Sequence, residues 1–293
     1  SATYRVIATN TTTNCSATLT QVADITVNTF DAIIENGANV TICGTSGTLT
    51  APSIAGASYQ WQKDENNIGT DSNQLTVTAG GNYIVVITVG GCTKPSPASV
   101  VTLTTPPVSS VAITSDATNN TACAGQAINF TATPANGGTN PTYQWRINGG
   151  DVAGANQSTF TSTSLTSGDA VSVVMTADLT CATPVTSNDI VVTINALPTV
   201  TFTGVNATVD GNNQVTIDEG NSVTINLTGG ASYTWTPNTG ISSLSTDGSE
   251  AVLAPTSTIT YVVTATSSEG CVSNGSDTLQ VVVRPNTDIF IPS

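Results

Sequence analysis

The sequence predicts an all-β protein made of tandem immunoglobulin-like β-sandwich modules set end to end as a rod. Three observations predict it. The runs "NYIVVITV", "AVSVVMTA" and "ITYVVTAT" are β-branched, of strand length, and bounded by Gly, Asn, Ser and Pro. Helical periodicity is nearly absent, and short strands with closely spaced turn signals are the pattern of sandwiches. A Tyr-x-Trp triplet recurs as "SYQW" (58–61), "TYQW" (142–145) and "SYTW" (232–235), using all three tryptophans.

The repeat sets the domain organisation. Three stretches align: "TICGTSGTLTAP…YQW…GGNYIVVITVGGCTKPSPASVVTL", "TACAGQAINFTATP…YQWRINGG…GDAVSVVMTADLTCATPVTSNDIVVTI" and "TIDEGNSVTINLTGG…YTWTPNTG…TITYVVTATSSEGCVSNGSDTLQVVV". Each contains an opening strand, a Tyr-x-Trp strand, a long apolar strand, a Cys near a turn and a closing strand. Residues 1–28 match only the last third of the pattern, as the tail of another module. Complete modules are then expected at 29–105, 106–196 and 197–285. The proline-containing links "TTPPV" and "NALPTV" suit semi-rigid spacing. The opening "SATYRVIATN" reads as the interior of a strand, so a piece of a longer protein is expected.

Composition narrows the function. Only 8% of the 293 residues are charged and the net charge is −14. The five basic residues, Arg5, Lys63, Lys94, Arg146 and Arg284, are scattered, whereas a nucleic-acid reader needs them clustered. No nucleic-acid partner is expected. The absence of histidine removes the His-based hydrolytic triads and the commonest zinc ligand. Asp64, Glu65 and Asp151 follow the Tyr-x-Trp strands and are the candidates for a carboxylate pair, but they read better as hairpin-turn residues. A non-enzyme is expected.

Six cysteines test the repeat frame. Cys43 and Cys123 open a module; Cys15, Cys92, Cys181 and Cys271 precede a closing strand. The frame pairs Cys43 with Cys92 and Cys123 with Cys181, and disulfides imply an extracytoplasmic compartment. Cys15 and Cys271 are unpaired in that frame, because the slot that would partner Cys271 holds Asp218. A relic of a lost bridge, a free thiol and an intermolecular Cys15–Cys271 bond all stay open.

In a strand, residues two apart share a face. Tyr59 with Trp61, Tyr143 with Trp145 and Tyr233 with Trp235 therefore point together. Two readings compete: a core anchor, as for the buried Trp of the third strand in immunoglobulin-like domains, or an exposed platform for stacking sugars. Three copies in one frame favour the anchor, since every module needs its own core.

Units of the form "C-x-G…Y-x-W…Y-x-V-x-x-T…G-C…S…V-x-V" resemble the Ig-like and PKD-like repeats of very large surface proteins from gliding and related Bacteroidetes. The third unit resembles the PKD-like variety, and "RPNTDIFIPS" is similar to the lead-in (286–293) to a C-terminal domain that directs export by the type IX secretion system. The resemblance implies a non-catalytic adhesin or stalk, secreted or tethered at the outer membrane. The partners it implies are the secretion and anchoring machinery and a surface polysaccharide or other adhesive target. Carbohydrate-binding modules of a secreted polysaccharide-degrading protein, or a self-associating filament subunit, are the alternatives.

Three weaker signals complete the reading. Asp210, Asp218 and Glu219 gather around turn residues as candidate ligands for calcium, the one cofactor considered. The stretch reads better as a solvated hairpin turn. "DTL" at 277–279 resembles a Bacteroidetes O-glycosylation pattern with Thr278 as acceptor. The sequons at Asn39, Asn129 and Asn226 follow from a composition rich in Asn and Thr.

Overall fold

A computed structural model describes residues 29–275 and 277–286 in full and the backbone of 6–10 and 15–19. The partial module expected at 1–28 lies outside these residues except for the hairpin of β1 (Val6–Asn10) and β2 (Cys15–Leu19). The lead-in at 286–293 lies outside them except for its first residue.

The described residues form an all-β chain of tandem immunoglobulin-like sandwiches. The first contains β3 (Asn39–Cys43), β4 (Gly47–Thr50), β5 (Ala57–Lys63), β6 (Asn66–Ile68), β7 (Gln74–Val77), β8 (Gly81–Val89), β9 (Cys92–Pro95) and β10 (Ser99–Thr104). One sheet runs β3-β10-β8-β5-β6, with β9 also on β8, and faces the β4-β7 pair. Period-two alternation builds the core. On β8, Tyr83, Val85 and Ile87 are buried while Asn82 is exposed and Ile84 and Val86 are only partly covered.

The second contains β11 (Ser110–Ser115), β12 (Thr121–Cys123), β13 (Ile128–Ala135), β14 (Thr142–Ile147), β15 (Gly150–Asp151) and β16 (Thr159–Ser162). It continues with β17 (Ala170–Thr176), β18 (Val185–Thr186), β19 (Ile190–Val191) and β20 (Thr193–Asn195). The order β11-β13-β16 makes one sheet; β15-β14-β17-β18, with β19 on β17, makes the other, and β12 pairs β20.

The third contains β21 (Thr201–Gly204), β22 (Gln214–Asp218), β23 (Val223–Thr228), β24 (Ser232–Thr236), β25 (Ile241–Leu244), β26 (Glu250–Leu253), β27 (Ile259–Thr266) and β28 (Asp277–Arg284). Its two four-stranded sheets, β21-β23-β26-β25 and β22-β28-β27-β24, bury Val223, Ile225 and Leu227 against Tyr261, Val263 and Ala265.

By compactness the chain divides into two units: residues 1–110 with 135–141 and 176–185, and residues 111–134 with 142–175 and 186–293. In the first unit, two tips of the second sandwich accompany the first sandwich. Gly138 bridges to Asp178 there in a left-handed conformation, and a Cβ at Gly138 would strike the Asp178 carbonyl, so glycine is required.

One feature of the topology governs the cysteines. The opening strand of each sandwich runs parallel to the closing strand, an exception in antiparallel sheets. The registers set Cys43 opposite Thr104, Cys123 opposite Asn195 and Asp218 opposite Arg284. Each opening-strand terminus therefore lies beside the point where the chain leaves its sandwich. The turn cysteines lie at the other end: Cys92 faces Val89 at the far tip of β8.

The pairing expected from the repeat frame is thereby corrected. Val101 of β10 faces Gly81 of β8, so about 11 residue steps of ladder, roughly 35 Å, separate Cys43 from Cys92. A disulfide tolerates a Cα separation of no more than about 7 Å. Cys43 is bonded instead to Cys181, with Cα atoms 5.4 Å apart, and Cys123 to Cys271, at 5.6 Å. Cys92 is disulfide-bonded as well. Cys271, unpaired in the frame, is thus half of a bridge. The side chain of Cys15 lies outside the described residues.

Candidate functional site

The cysteines and the aromatic anchors are the features that the sequence repeats, and the structure gives each a place. Cys43–Cys181 lies within the first compact unit and ties the opening strand of the first sandwich to a loop of the second. Cys123–Cys271 lies within the second unit and ties the opening strand of the second sandwich to the β27–β28 loop of the third. Each bond joins one module to its successor. In the third sandwich the opening slot holds Asp218, so the series of forward bridges stops there.

The three tryptophans are 0%, 0% and 4% exposed at Trp61, Trp145 and Trp235. A stacking platform needs an open ring face, and these have none. Each indole Nε1–H donates to a backbone carbonyl further along the chain: Ser72 at 2.8 Å, Gln157 at 2.8 Å and Gly248 at 2.9 Å. The polar edge of a buried indole is thus satisfied in the same way three times. Trp145 stacks on Phe160 at 5.6 Å, with Phe130 at 6.2 Å. Trp235 lies edge-on to Phe202 and Tyr261.

The tyrosines lie less deep. Tyr59 and Tyr143 are half-buried and Tyr233 is buried. The Tyr59 hydroxyl donates to the Pro52 carbonyl and accepts from the Ile54 N–H, clasping the loop before its own strand. Tyr233 does the same with Gly230.

A recurrent serine clamps the long apolar strand. Ser96, Ser187 and Ser273 each accept a backbone N–H from the long apolar strand, at Val85, Val173 and Ala265, each at 3.0 Å. Their own N–H groups donate back to the same residues. The repeat pattern contains this residue, a Ser between the turn Cys and the closing strand, four, six and two residues past Cys92, Cys181 and Cys271; its role follows from the backbone it holds. Ser273→Ala leaves the buried Ala265 N–H without an acceptor. A loss of about 1–3 kcal/mol is expected, read as a lower urea midpoint for the third module.

The acidic residues are occupied locally. Asp64 and Glu65 form the β5–β6 turn, both with positive φ. Asp64 accepts the Asn82 N–H and pairs with Lys63 at 3.3 Å, and these two contacts, the first above all, hold its pKa below the usual carboxylate range. Asp151 pairs with Arg146 at 2.6 Å across the Asn148–Gly149 turn. Asp210 caps its own turn by accepting from the N–H groups of Asn212 and Gln214. Strand β22 separates Asp210 from Asp218 and Glu219 by roughly 13 Å or more, so the candidate calcium ligands do not converge. Among the described residues no group of three Cys, Asp or Glu side chains is arranged to hold a metal. Thr278 is exposed on β28, opposite Val262.

Asp247 is the most perturbed carboxylate. It accepts from the hydroxyls of Ser245 and Ser249 at 2.7 Å and from the Ser249 N–H at 3.0 Å. These bonds, the Ser245 hydroxyl first, bring its pKa down to about 2. They fix the turn whose Gly248 carbonyl receives Trp235, and Gly248 is left-handed against the Tyr233 carbonyl, with no room for a Cβ. A depressed folded-state pKa means stabilisation that is present above the unfolded value, about 4, and lost as pH falls toward 2. The third module is expected to melt progressively lower across that window. Asp247→Asn should show a shallower dependence there in thermal melts at stepped pH.

Comparison with known proteins finds no matching family and no matching curated protein. Solved structures do match in fold. The fibronectin(III)-like modules of Clostridium thermocellum CbhA align at 15% identity over 56% of this chain and 95% of theirs, with a TM-score of 0.38. A titin I-band fragment aligns at 12% identity over 88% and 98%, TM-score 0.36. Three N-terminal domains of the bacteriophage RB49 highly immunogenic outer capsid protein align at 14% over 83% and 95%, TM-score 0.30. These likenesses concern fold only, and the architecture rests on the strand order itself.

Proposed function

We propose that this chain is a non-catalytic, tension-bearing stalk segment of an extracellular bacterial surface protein, working in adhesion or gliding movement. The observation that supports the reading is the bridge pattern: both described bridges join a module to its successor. Such bonds add little to the core of one sandwich. They limit instead how far neighbouring modules are drawn apart, which is useful when the chain is pulled. Disulfides also belong to oxidising compartments. The resemblance to Ig-like and PKD-like surface repeats adds the finer part of the proposal: a Bacteroidetes adhesin, exported by the type IX system and held at the outer membrane. Its partners would be the secretion and anchoring machinery and a surface polysaccharide or other adhesive target. The buried tryptophans count against the sugar-platform alternative.

The test is an antibody against the segment, applied to live source cells. Label that travels along the surface supports a gliding role, and static surface label supports a fixed stalk. Label confined to the medium overturns the reading.

A further inference from the structure

The two described bridges meet solvent differently. Cys43 is exposed at the end of β3, and Gly44 beside it has open space where a side chain would be. Cys181 is half-buried in a loop with the exposed Leu179 and Thr180 before it. Cys271 is 1% exposed, and its N–H and carbonyl are both bonded to Ser267, at 3.2 and 2.8 Å. Its partner Cys123 is half-buried and held by Gln126. Thiol–disulfide exchange requires a thiolate to reach one sulfur of the bond, so access decides which bridge reacts first.

We propose that Cys43–Cys181 is a thiol-exchange site, opened selectively by a dithiol in the folded protein while Cys123–Cys271 stays closed. The thiolate of the dithiol attacks Cys43 Sγ, forming a mixed disulfide and expelling the Cys181 thiolate. The second thiol of the reagent then displaces Cys43 as a thiol, leaving the dithiol oxidised and the bridge reduced by two electrons. The mechanical consequence is graded. With both bridges closed, the shortest covalent path from Cys43 to Cys271 crosses to Cys181, runs back to Cys123 and crosses again, about 58 residue steps or roughly 200 Å. With the first bridge open it runs along the chain to Cys123, about 80 steps or roughly 270 Å. These lengths are ceilings on extension once the sandwiches are pulled open, and reduction of the first bridge alone raises the ceiling.

The experiment is timed exposure of the native protein to dithiothreitol, trapping with iodoacetamide and peptide mass spectrometry. Fluorescence of the buried tryptophans monitors folding throughout. Expected is alkylation of Cys43 and Cys181 at least about threefold faster than of Cys123 and Cys271, with fluorescence unchanged. A smaller ratio, the reverse order, or alkylation only in step with a fluorescence change overturns the proposal. In the double variant C43S/C181S, the Cys123 and Cys271 peptides should keep their slow rate; acceleration would show that the first bridge merely shields the second, and would also overturn it.

Discussion

Pulled from residues outside Cys43 and Cys271 in oxidising buffer, the protein is expected to yield no more than roughly 200 Å between those two residues. Reduced, the same span is about 228 residue steps and should reach roughly 780 Å when fully unfolded. The bridges close loops of 138 and 148 residues that overlap, and the overlap produces the low ceiling. Had each module closed on itself, Cys43 to Cys92 and Cys123 to Cys181, the ceiling would be roughly 400 Å. Single-molecule force extension, with and without reductant, separates the three values. A span near 400 Å in the oxidised protein would refute the module-to-module pairing, and equal spans in both buffers would refute closed bridges altogether. The bridges also act on the unfolded chain: a loop of this size is worth about 5 kcal/mol in the chain-entropy estimate. The two contributions overlap and do not simply add, because the shared stretch from Cys123 to Cys181 is restricted by both.

The same comparison shows what the sequence made legible. The alternation in "NYIVVITV" and "ITYVVTAT" gave the long strands, because a half-buried strand must alternate. The Tyr-x-Trp frame located the same strand in all three sandwiches. The disulfide partners were not legible from the frame, since a repeat alignment says which residues are equivalent and not which are near. The deciding fact is the parallel register of opening and closing strands, a long-range property that places Cys43 and Cys92 at opposite ends. One clue did exist. Pairing within modules orphans Cys271 against Asp218, whereas forward pairing uses Cys271. The calcium candidates failed for a related reason: Asp210 and Asp218 are close in sequence, but an extended strand between them carries them apart.

Replacing Trp145 with alanine is expected to cost the second sandwich about 3–5 kcal/mol. The ring is fully buried, it joins Phe130 and Phe160 in one aromatic cluster, and its loss leaves a cavity that two rigid rings cannot fill. The Gln157 carbonyl also loses its donor, which adds to the cost. Against a typical domain stability of about 5–15 kcal/mol, such a loss leaves the module marginal. Urea unfolding should show an early transition for this sandwich. Trp61 and Trp235, in the cores of the other two, report on those modules separately in the same variant. Trp145→Phe, which keeps a ring but no Nε1–H, should recover most of the packing and leave a deficit of about 0.5–1.5 kcal/mol for the lost hydrogen bond, because Gln157 is exposed. A sugar platform would behave in the opposite way, with alanine leaving stability unchanged and abolishing ligand binding. An alanine variant that unfolds at the wild-type urea concentration would therefore remove Trp145 from the core and return the repeated triplet to the sugar-binding reading.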